Sequence, residues 1–438
     1  MLKRCLSISL LLLNLIGCSE TVDLSSMKIR LWQPEGEDYF IDAETVRLSA
    51  TTARDRTYVH QASSLDELTL DLADVTPSDT PLELELVATQ GDRKFKGVVE
   101  SYELTWPTQE TPVIQEDPLM FVGPSNESVP LTQGYPPSLS YTMACQTHEG
   151  ALVLGTSLSE NTSSLLHLYF MDFMGRTLKS GASIPSGKPL TLCALDADHR
   201  LYTYGGCVDG SPVGGLQRTT LDSDATPKDL TENDSRNNCH ADLVVTPEHL
   251  WLMDGPTLEL RNYEGQRQQA LTLPSDIPFQ LTHSTHLKAD QVWVWSTAPS
   301  ENDVLRLVSR DSDGLNIETI DVQGTLLYVG HNRLKQAVCL TTEGLYAINK
   351  GSLSLLMNAS LIFEGNFQPA RFIESQADRW VFLNETGTLL RLVQGSTNYD
   401  LPQEPPRPQS QLFRGPGGAI LIAGGSITGI HLLITDTY

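Results

Sequence analysis

The sequence has few basic residues and no long apolar run. Lys and Arg number 30 against 54 Asp and Glu, so the 438-residue chain has a formal net charge of −24. Because this charge repels phosphate backbones, it excludes nucleic-acid binding as the main activity. No apolar stretch approaches the roughly 18 residues of a membrane-spanning helix, so we expect no transmembrane helix.

Short enzyme and cofactor motifs are missing as well. The chain contains no HExxH, no GxSxG, no glycine-rich phosphate loop and no CxxC pair. Because these motifs are missing, the sequence predicts no catalytic residue, no cofactor and no metal site. Turn formers are abundant instead, with 32 Gly and 25 Pro, and 40% of the residues are hydrophobic. This composition indicates a globular chain of two or three domains and disfavours a helical bundle.

The first eighteen residues have the pattern of an export signal. Lys3 and Arg4 precede the apolar run SISLLLLNLIG at 7–17, which is too short to span a bilayer. The junction LIGC at 15–18 resembles the lipobox of bacterial lipoproteins. The resemblance implies diacylglyceryl transfer to the Cys18 sulfur, cleavage before Cys18 and acylation of its new amine. A plain secretory signal with an incidental cysteine is the alternative.

The lipobox resemblance also sets the expected location. The mature chain would begin at Cys18 with a charge of −26, because cleavage removes Lys3 and Arg4. An acidic surface does not adhere to anionic lipid, so the acyl chains would have to hold the protein on the membrane. Ser19 rather than Asp follows Cys18. Under the family's sorting rule this implies the outer membrane of a Gram-negative bacterium.

Seven cysteines are present, of which one lies in the signal and one is the lipidation candidate. The remaining five are Cys145, Cys193, Cys207, Cys239 and Cys339. Cys207 and Cys239 flank a polar insertion of 31 residues, so we predict a disulfide between them. The other three lie in apolar stretches and are interpreted as buried small hydrophobes.

Residues 27–106 predict a small antiparallel β-sandwich that follows a polar tether at 18–26. Five segments alternate with period 2: KIRLW (28–32), TVRLSA (45–50), LTLDL (68–72), LELELVA (82–88) and KGVVESYEL (96–104). The architecture is similar to immunoglobulin-like domains, although the Cys–Trp–Cys hallmark is missing. We expect this domain to be a spacer, and residues 107–134 to be a proline-rich linker.

The rest of the chain, 135–438, contains an internal repeat. Seven segments share a polar turn, an apolar strand and a small or turn-forming residue: EGALVLGT (149–156), HRLYTYGG (199–206), EHLWLMDG (248–255), DQVWVWST (290–297), EGLYAINKG (343–351), DRWVFLNETG (378–387) and GGAILIAGG (417–425). Shorter apolar strands flank most of them. Three or four antiparallel strands per unit predict a β-propeller, whose blades pack face to face.

The spacing of the repeat sets the expected blade count. We anchor the seven units at Leu152, Leu201, Leu250, Val292, Leu345, Trp380 and Ile420. The steps are 49, 49, 42, 53, 35 and 40 residues, with a mean near 45. Seven blades fit best, and six are the alternative because the steps of 53 and 35 leave one boundary open. The last unit lacks an outer strand, which 118–123 or 128–133 could supply.

Two family resemblances follow from these units. Glycine doublets in LYTYGG and ILIAGG resemble kelch repeats, although only two of the seven units have them. The order of lipobox, small sandwich and degenerate kelch-like propeller resembles surface lipoproteins of predatory and soil proteobacteria. This resemblance covers most of the chain and implies no activity.

Several sequence segments partly match the motifs of chemical sites. The segment SRDSDG at 309–314 is a near match to a sialidase Asp-box, but its displaced glycine favours a hairpin turn. His283 with His286, and Asp311 with Asp313, are weak metal candidates. Five arginines recur beside the repeated strands without forming a recognisable triad: Arg200, Arg261, Arg306, Arg371 and Arg391. Four tryptophans on the repeated strand are interpreted as packing between blades: Trp251, Trp293, Trp295 and Trp380.

The polar segment 207–240 is the candidate binding loop of the propeller. It contains Asp209, Asp222, Asp224 and Asp229, with a solvated loop as the alternative interpretation. Together these patterns predict a lipid-anchored, non-catalytic binding or scaffold protein of the cell envelope. Its partners would be the membrane, through the lipid, and an unknown protein or glycan. The alternative is a propeller glycoside hydrolase acting on an extracellular glycan.

Overall fold

The structure is a computed structural model of the whole chain. It describes the following residues: 21–24, 27–33, 39–68, 75–102, 104–108, 111–113, 119–131, 141–146, 152–157, 165–172, 177–185, 192–195, 200–204, 207–208, 211–212, 215–220, 228–230, 241–273, 279–283, 290–298, 303–349, 351–403, 410–423 and 430–436. Within these ranges no helix has the length and apolarity needed to cross a bilayer.

Internal contacts divide the chain into two compact units. The first comprises Met1–Pro137, Gly415–Leu421 and Gly429–Tyr438, and the second comprises Ser138–Arg414 and Ile422–Thr428. The N-terminal part of the first unit contains strands β1 (Thr21–Leu24), β2 (Met27–Trp32), β3 (Thr45–Thr51), β4 (Thr57–Ala62), β5 (Leu82–Gln90), β6 (Arg93–Tyr102), β7 (Thr105–Thr108), β8 (Thr111–Val113), β9 (Leu119–Pro124) and β10 (Ser128–Leu131).

Seven of these strands form one sheet in the order β1-β2-β9-β6-β5-β3-β4. Neighbours are antiparallel except β2 and β9, which pair in parallel with Leu31 opposite Met120. The alternating pattern of β3 and β5 buries one face of the sheet, and both ends of the sheet share one hydrophobic core. Ile29 of β2 and Leu48 of β3 are both in it. This is the sandwich predicted from the alternation.

The observed boundaries differ from the predicted ones at both ends of this domain. Part of the expected tether, Thr21–Leu24, is the edge strand β1. Part of the expected linker, Leu119–Pro124, is β9, which pairs with β2 and β6 inside the sheet. Prolines in 107–134 indicated a linker, but a short apolar strand between them is enough to pair when both neighbours offer free backbone groups.

The remaining strands follow in chain order. They are β11 (Tyr141–Gln146), β12 (Leu152–Ser157), β13 (Leu165–Asp172), β14 (Thr177–Pro185), β15 (Leu192–Leu195), β16 (Arg200–Tyr204), β17 (Cys207–Val208), β18 (Ser211–Pro212), β19 (Gln217–Thr220), β20 (Lys228–Asp229), β21 (Ala241–Val245), β22 (Leu250–Asp254), β23 (Thr257–Arg261), β24 (Arg267–Thr272), β25 (Gln280–His283), β26 (Gln291–Trp295), β27 (Val304–Arg310), β28 (Leu315–Asp321), β29 (Leu326–His331), β30 (Ala337–Thr341), β31 (Gly344–Asn349), β32 (Ser352–Asn358), β33 (Pro369–Gln376), β34 (Arg379–Asn384), β35 (Leu389–Gln394), β36 (Thr397–Pro402), β37 (Gln411–Arg414), β38 (Ile420–Ala423) and β39 (Ile430–Leu433). A short helix, α1 (Ala359–Ile362), follows β32.

In the second unit, the described strands up to β36, apart from the two-stranded hairpin β17-β18, form six four-stranded antiparallel sheets. Their orders are β11-β12-β13-β14, β15-β16-β19-β20, β21-β22-β23-β24, β25-β26-β27-β28, β29-β30-β31-β32 and β33-β34-β35-β36. Neighbouring sheets contact each other through their first strands, as β21 contacts β25 and β29 contacts β33. This succession of sheets is the organisation of a β-propeller, which confirms the predicted fold class. The number of blades stays a prediction.

Apolar side chains fill the spaces between successive sheets. Trp251 of β22 shares a cluster with Phe279 and Val294 of the next sheet. Trp293 and Trp295 pack on the following sheet, where Cys339 is also buried. The four tryptophans of the repeated strand are all at most 4% exposed. They therefore belong to the packing between sheets, as predicted.

One repeat anchor was wrong. Leu345 lies in β31, the third strand of its sheet, whereas the other six anchors lie in second strands. The second strand here is β30, and an anchor at Val338 changes the irregular steps of 53 and 35 residues to 46 and 42. The error arose because β30 and β31 are both continuous buried runs, so alternation does not distinguish them.

Within the first unit, β10 pairs antiparallel with β39, Ser128 opposite Leu433 and Leu131 opposite Ile430. Segment 128–133 therefore holds a strand that pairs with the last strand of the chain, whereas 118–123 contributes to β9. Nearby, Lys96 Nζ lies 3.0 Å from Asp436 Oδ1, and both side chains are buried. Asn126 holds the same segment, accepting a hydrogen bond from the Asp436 N–H at 2.8 Å.

Candidate functional site

Among the described residues, one group of His, Asp and Glu has the spacing of a candidate metal site. It consists of Glu248, His249 and Asp290, whose ligand atoms lie within 4.8 Å of one another. His249 precedes β22, and Asp290 precedes β26 of the next sheet. His249 Nδ1 is 2.6 Å from Asp290 Oδ2. Glu248 is exposed, whereas His249 is buried.

The Asp290 carboxylate already has protein partners. Its Oδ1 accepts hydrogen bonds from the Thr246 hydroxyl at 2.6 Å and the Trp251 indole N–H at 3.0 Å. On the other side of the imidazole, the Arg310 guanidinium donates to His249 Nε2. The Gln268 side-chain oxygen lies 3.0 Å from the same Nε2. The group thus joins two neighbouring sheets.

This geometry does not fit a bound divalent ion. Two ligands at zinc distances of about 2.1 Å and tetrahedral angles are about 3.4 Å apart. The nitrogen and oxygen here are separated by 2.6 Å, which is closer than two ligands of one such ion. The positive charge of the Arg310 guanidinium, which lies at His249 Nε2, would also repel a metal ion bound to the ring. We therefore interpret the group as a junction between sheets.

Two carboxylates on first strands are held by backbone N–H groups. Asp242 of β21 accepts from Leu281 N at 2.6 Å, on the first strand of the next sheet, and from Leu243 N at 2.8 Å. Burial raises the pKa of Asp242 to about 6, and these N–H groups oppose the shift. Glu374 of β33 accepts from Arg333 N at 2.7 Å and from Asp378 N at 3.2 Å.

The recurring arginines also have structural partners. Arg261 Nε donates to Glu259 at 2.8 Å, and both side chains are buried. Arg391 forms a bidentate pair with Asp400, with hydrogen bonds of 2.6 and 2.7 Å. The other three stack on aromatic rings, with Arg200 over Tyr263, Arg306 over Phe279 and Arg371 over Tyr328. In this part of the chain they serve packing between strands and form no triad.

The predicted binding loop differs from the structure. Residues 207–240 contain β19 and β20, the third and fourth strands of the second sheet, and the small hairpin β17-β18. The described strands β19 and β20 therefore continue the repeat, and the polar composition of the segment concealed them. Asp229 is exposed in β20, opposite Gln217. Asp209, Asp222 and Asp224 lie outside the described residues.

Other predicted sites have mixed outcomes. Cys18 and Cys239 lie outside the described residues, so the lipidation and the disulfide to Cys207 of β17 stay predictions. His283 ends β25, and His286 lies outside the described residues. The Asp-box-like segment 309–314 is a hairpin turn between β27 and β28, as interpreted. In it Asp311 Oδ1 accepts from the N–H groups of residues 313 and 314.

Sequence analysis missed the Thr246–His249–Trp251–Asp290 junction. Asp290 lies 39 residues from Trp251 along the chain, in a different repeat, and no motif joins them. One signal was available. Asp290 directly precedes the second strand of its unit, as His249 does in the preceding unit, and turn positions of adjacent blades lie near one another.

Comparison with known proteins gives no family. No protein-family model and no curated protein matches this chain. Similar solved structures include YCF48 bound to a D1 peptide (11% identity, 71% of this chain and 95% of that chain, TM-score 0.46). They also include Saccharomyces cerevisiae Sqt1 (12%, 83% and 94%, 0.46) and the Pseudomonas aeruginosa periplasmic gluconolactonase PpgL (12%, 90% and 100%, 0.42). Such identities and scores assign no function to this chain.

Proposed function

We propose that this protein is a lipid-anchored binding or scaffold protein of the cell envelope, without catalytic activity. The supporting observation is that three of its carboxylates accept hydrogen bonds that hold the sheets together. Asp242, Glu374 and Asp290 each bond to backbone or side-chain donors that join strands or sheets. Groups committed to such bonds are poor acids or bases for an incoming substrate, because reaction would break the contacts between sheets.

The turns are then the surface that meets a protein or glycan partner. Propeller turns are exposed, and rigid sheets hold them in place. The outer membrane of a Gram-negative bacterium is the proposed location, from the LIGC junction and Ser19. Several acyl chains on Cys18 would hold an acidic protein that the membrane surface itself repels.

Lipidation is tested by labelling cells with a palmitate analogue. Wild type and a Cys5→Ala control should incorporate the label and sediment with outer-membrane fractions. Cys18→Ala should lose the label and appear in the soluble envelope fraction. Label that persists in Cys18→Ala, or an unlabelled wild type, would refute the anchor.

The binding role is tested with the purified full chain on arrays of envelope glycans and by chemical cross-linking in intact cells. We expect a saturable glycan or protein complex and no release of sugar product. Product release at a rate that follows enzyme concentration would favour the glycoside hydrolase instead. A deletion of 208–236 is unsuitable here, because it would remove β19 and β20.

A further inference from the structure

Two turns in the second unit share one backbone frame. Asn262–Gln266 joins β23 to β24, and Asn332–Gln336 joins β29 to β30. In both turns the backbone N–H of the Asn donates to the backbone carbonyl oxygen of the Gln at 3.0 Å. The backbone N–H of the Gln donates to the Asn Oδ1 at 2.9 Å. The fourth residue has a positive φ in both, +81° at Gly265 and +62° at Lys335.

The side chains at the tip of the first turn bond to the protein itself. Tyr263 donates its hydroxyl proton to the Thr246 carbonyl at 2.6 Å. Glu264 accepts hydrogen bonds from Arg218 at 2.6 Å and Lys228 at 2.7 Å, both in the preceding sheet. This tip therefore links two sheets.

The tip of the second turn is directed to solvent. Leu334, which matches Glu264 in the frame, is 67% exposed, and the Arg333 side chain beside it is exposed too. Lys335 occupies the left-handed position that Gly265 fills in the first turn. A residue with a Cβ is strained at a positive φ, whereas glycine is not. Lys335 therefore adds a side chain to this turn at a cost in backbone energy.

The exposed tip is rigid. The Arg333 N–H donates to Glu374 Oε2 at 2.7 Å, which ties the tip to the next sheet. The Gln336 amide donates to Asn349 Oδ1 at 3.0 Å, which ties its base to β31. Because these hydrogen bonds hold the backbone of the turn, the turn loses little backbone entropy when a partner binds it.

Charge indicates the kind of partner. Arg333 and Lys335 place two cations beside Leu334 in a chain whose net charge is −24. A partner with an acidic rim is attracted to this tip, and the rest of the protein repels it elsewhere, which fixes orientation. An anionic membrane is a poorer partner, because one leucine inserts weakly and the remaining surface is acidic.

We propose that the 332–336 turn is a docking tip. It inserts Leu334 into an apolar pocket on a protein partner, and acidic residues around the pocket pair with the exposed Arg333, while the half-buried Lys335 adds positive charge to the tip. The inference rests on the proposed binding function and names the surface and the partner chemistry.

A photo-cross-linking residue, benzoylphenylalanine, at position 334 of the full chain tests this in intact cells. The matched control carries it at Ile317, which is 43% exposed in β28. We expect protein adducts from position 334 at least tenfold above those from 317, and the cross-linked partner peptide should be acidic by mass spectrometry. Arg333→Glu in the same chain should abolish the adduct. A lipid adduct, a neutral or basic peptide, or equal yields at both positions would overturn the proposal.

Two further results separate the docking tip from the proposed function. Lys335→Gly should raise the urea-unfolding midpoint, because it relieves the backbone, and should lower the adduct yield several-fold. An unchanged yield would contradict the role of Lys335. If chemical cross-linking still traps a partner while position 334 yields no adduct, only the docking tip fails. If wild type traps no partner by any route, the proposed function fails.

Discussion

Two carboxylates in different units, the buried Asp436 and the half-buried Asp242, have different kinds of partner. Asp436, in the first unit, lies against the ammonium groups of Lys94 and Lys96. Asp242, in β21 of the second unit, accepts backbone N–H groups, including that of Leu281. Burial by itself would raise the pKa of Asp436, but the two lysines outweigh it and leave that pKa below its ordinary 3.8. The pKa of Asp242 instead rises to about 6 through burial.

The difference shows how each unit keeps a buried charge. Full cationic partners reverse the effect of burial, whereas backbone dipoles only moderate it. The paired charges suit a contact between segments distant in sequence, since Lys96 and Asp436 are 340 residues apart. A carboxylate that accepts hydrogen bonds from backbone N–H groups suits adjacent strands of a repeat, where such donors lie nearby.

Lys96→Met should have the largest effect. It removes a 7%-exposed ammonium that lies near both Glu85 and Asp436, so we expect a loss of about 4 kcal/mol of unfolding free energy. Lys94→Met is the control, because Lys94 is 41% exposed and its pair should be worth about 1 kcal/mol or less. Urea titration measures both. Equal losses would contradict the importance of the buried partner.

Asp290→Ala should have the next largest effect. It leaves the Trp251 indole N–H and the Thr246 hydroxyl without the oxygen that accepts their hydrogen bonds, at a cost of about 3 kcal/mol. Urea unfolding followed by tryptophan fluorescence measures the loss. Asp303→Ala is the exposed control and should change the stability by less than about 0.5 kcal/mol. A similar loss in both variants would argue against the junction.

The pH dependence of two further variants should have opposite signs. The folded pKa of Asp242 is raised, so its contribution to stability falls as the pH rises from 3.8 to about 6. The cost of Asp242→Ala should thus shrink by roughly 2 to 3 kcal/mol across that window. The folded pKa of Asp436 is lowered, so its contribution is present above 3.8 and is lost as the pH falls below it.

Urea titrations between pH 3 and pH 7 measure these trends. The cost of Asp436→Ala should shrink as the pH falls below 3.8, the opposite direction from Asp242→Ala. Parallel trends for the two variants would show that lysines and backbone N–H groups act alike, and would remove the contrast between the units.

Glu264→Gln should have the smallest effect. Hydrogen bonds from Lys228 and Arg218 lower the pKa of Glu264 to about 2, but the Glu264 side chain is 52% exposed. Water screens such a pair, so at pH 7 we expect the urea midpoint to stay within error of wild type. Its contribution is lost as the pH falls from 4.5 to about 2. A loss comparable to that of Lys96→Met would mean that burial is not what distinguishes the two units.

Most of the fold was predictable, because its signals are local. Alternation identified β2, β3, β5 and β6, and continuous apolar runs identified the second strands of six repeats. Local signals failed where strands are short or polar. β19 and β20 have four and two residues, so they were taken for a loop. Segment 118–123 was predicted as a linker strand that could complete the last repeat, whereas β9 pairs with β2 and β6 in the first sheet.

The candidate sites were less predictable, because they depend on side chains from different repeats. The tryptophans were correctly assigned to packing from their place on the repeated strand. The partners of Trp251 were not, since Asp290 follows it by 39 residues and the turns between sheets differ in length. The exposed Leu334 gave no sequence signal, because a leucine beside a strand is usually part of it.

Most of the strands and their repetition could be predicted from the sequence, and the export signal of the first eighteen residues stays a prediction. Each of these depends on neighbours a few positions apart, so composition and periodicity are enough to specify it. Which polar groups are in contact is seen only in the tertiary structure: Lys96 with Asp436, and Asp290 with Trp251 and His249. Such pairs form when whole sheets pack and exclude water, and the free energy of packing fixes their distance whatever their separation along the chain.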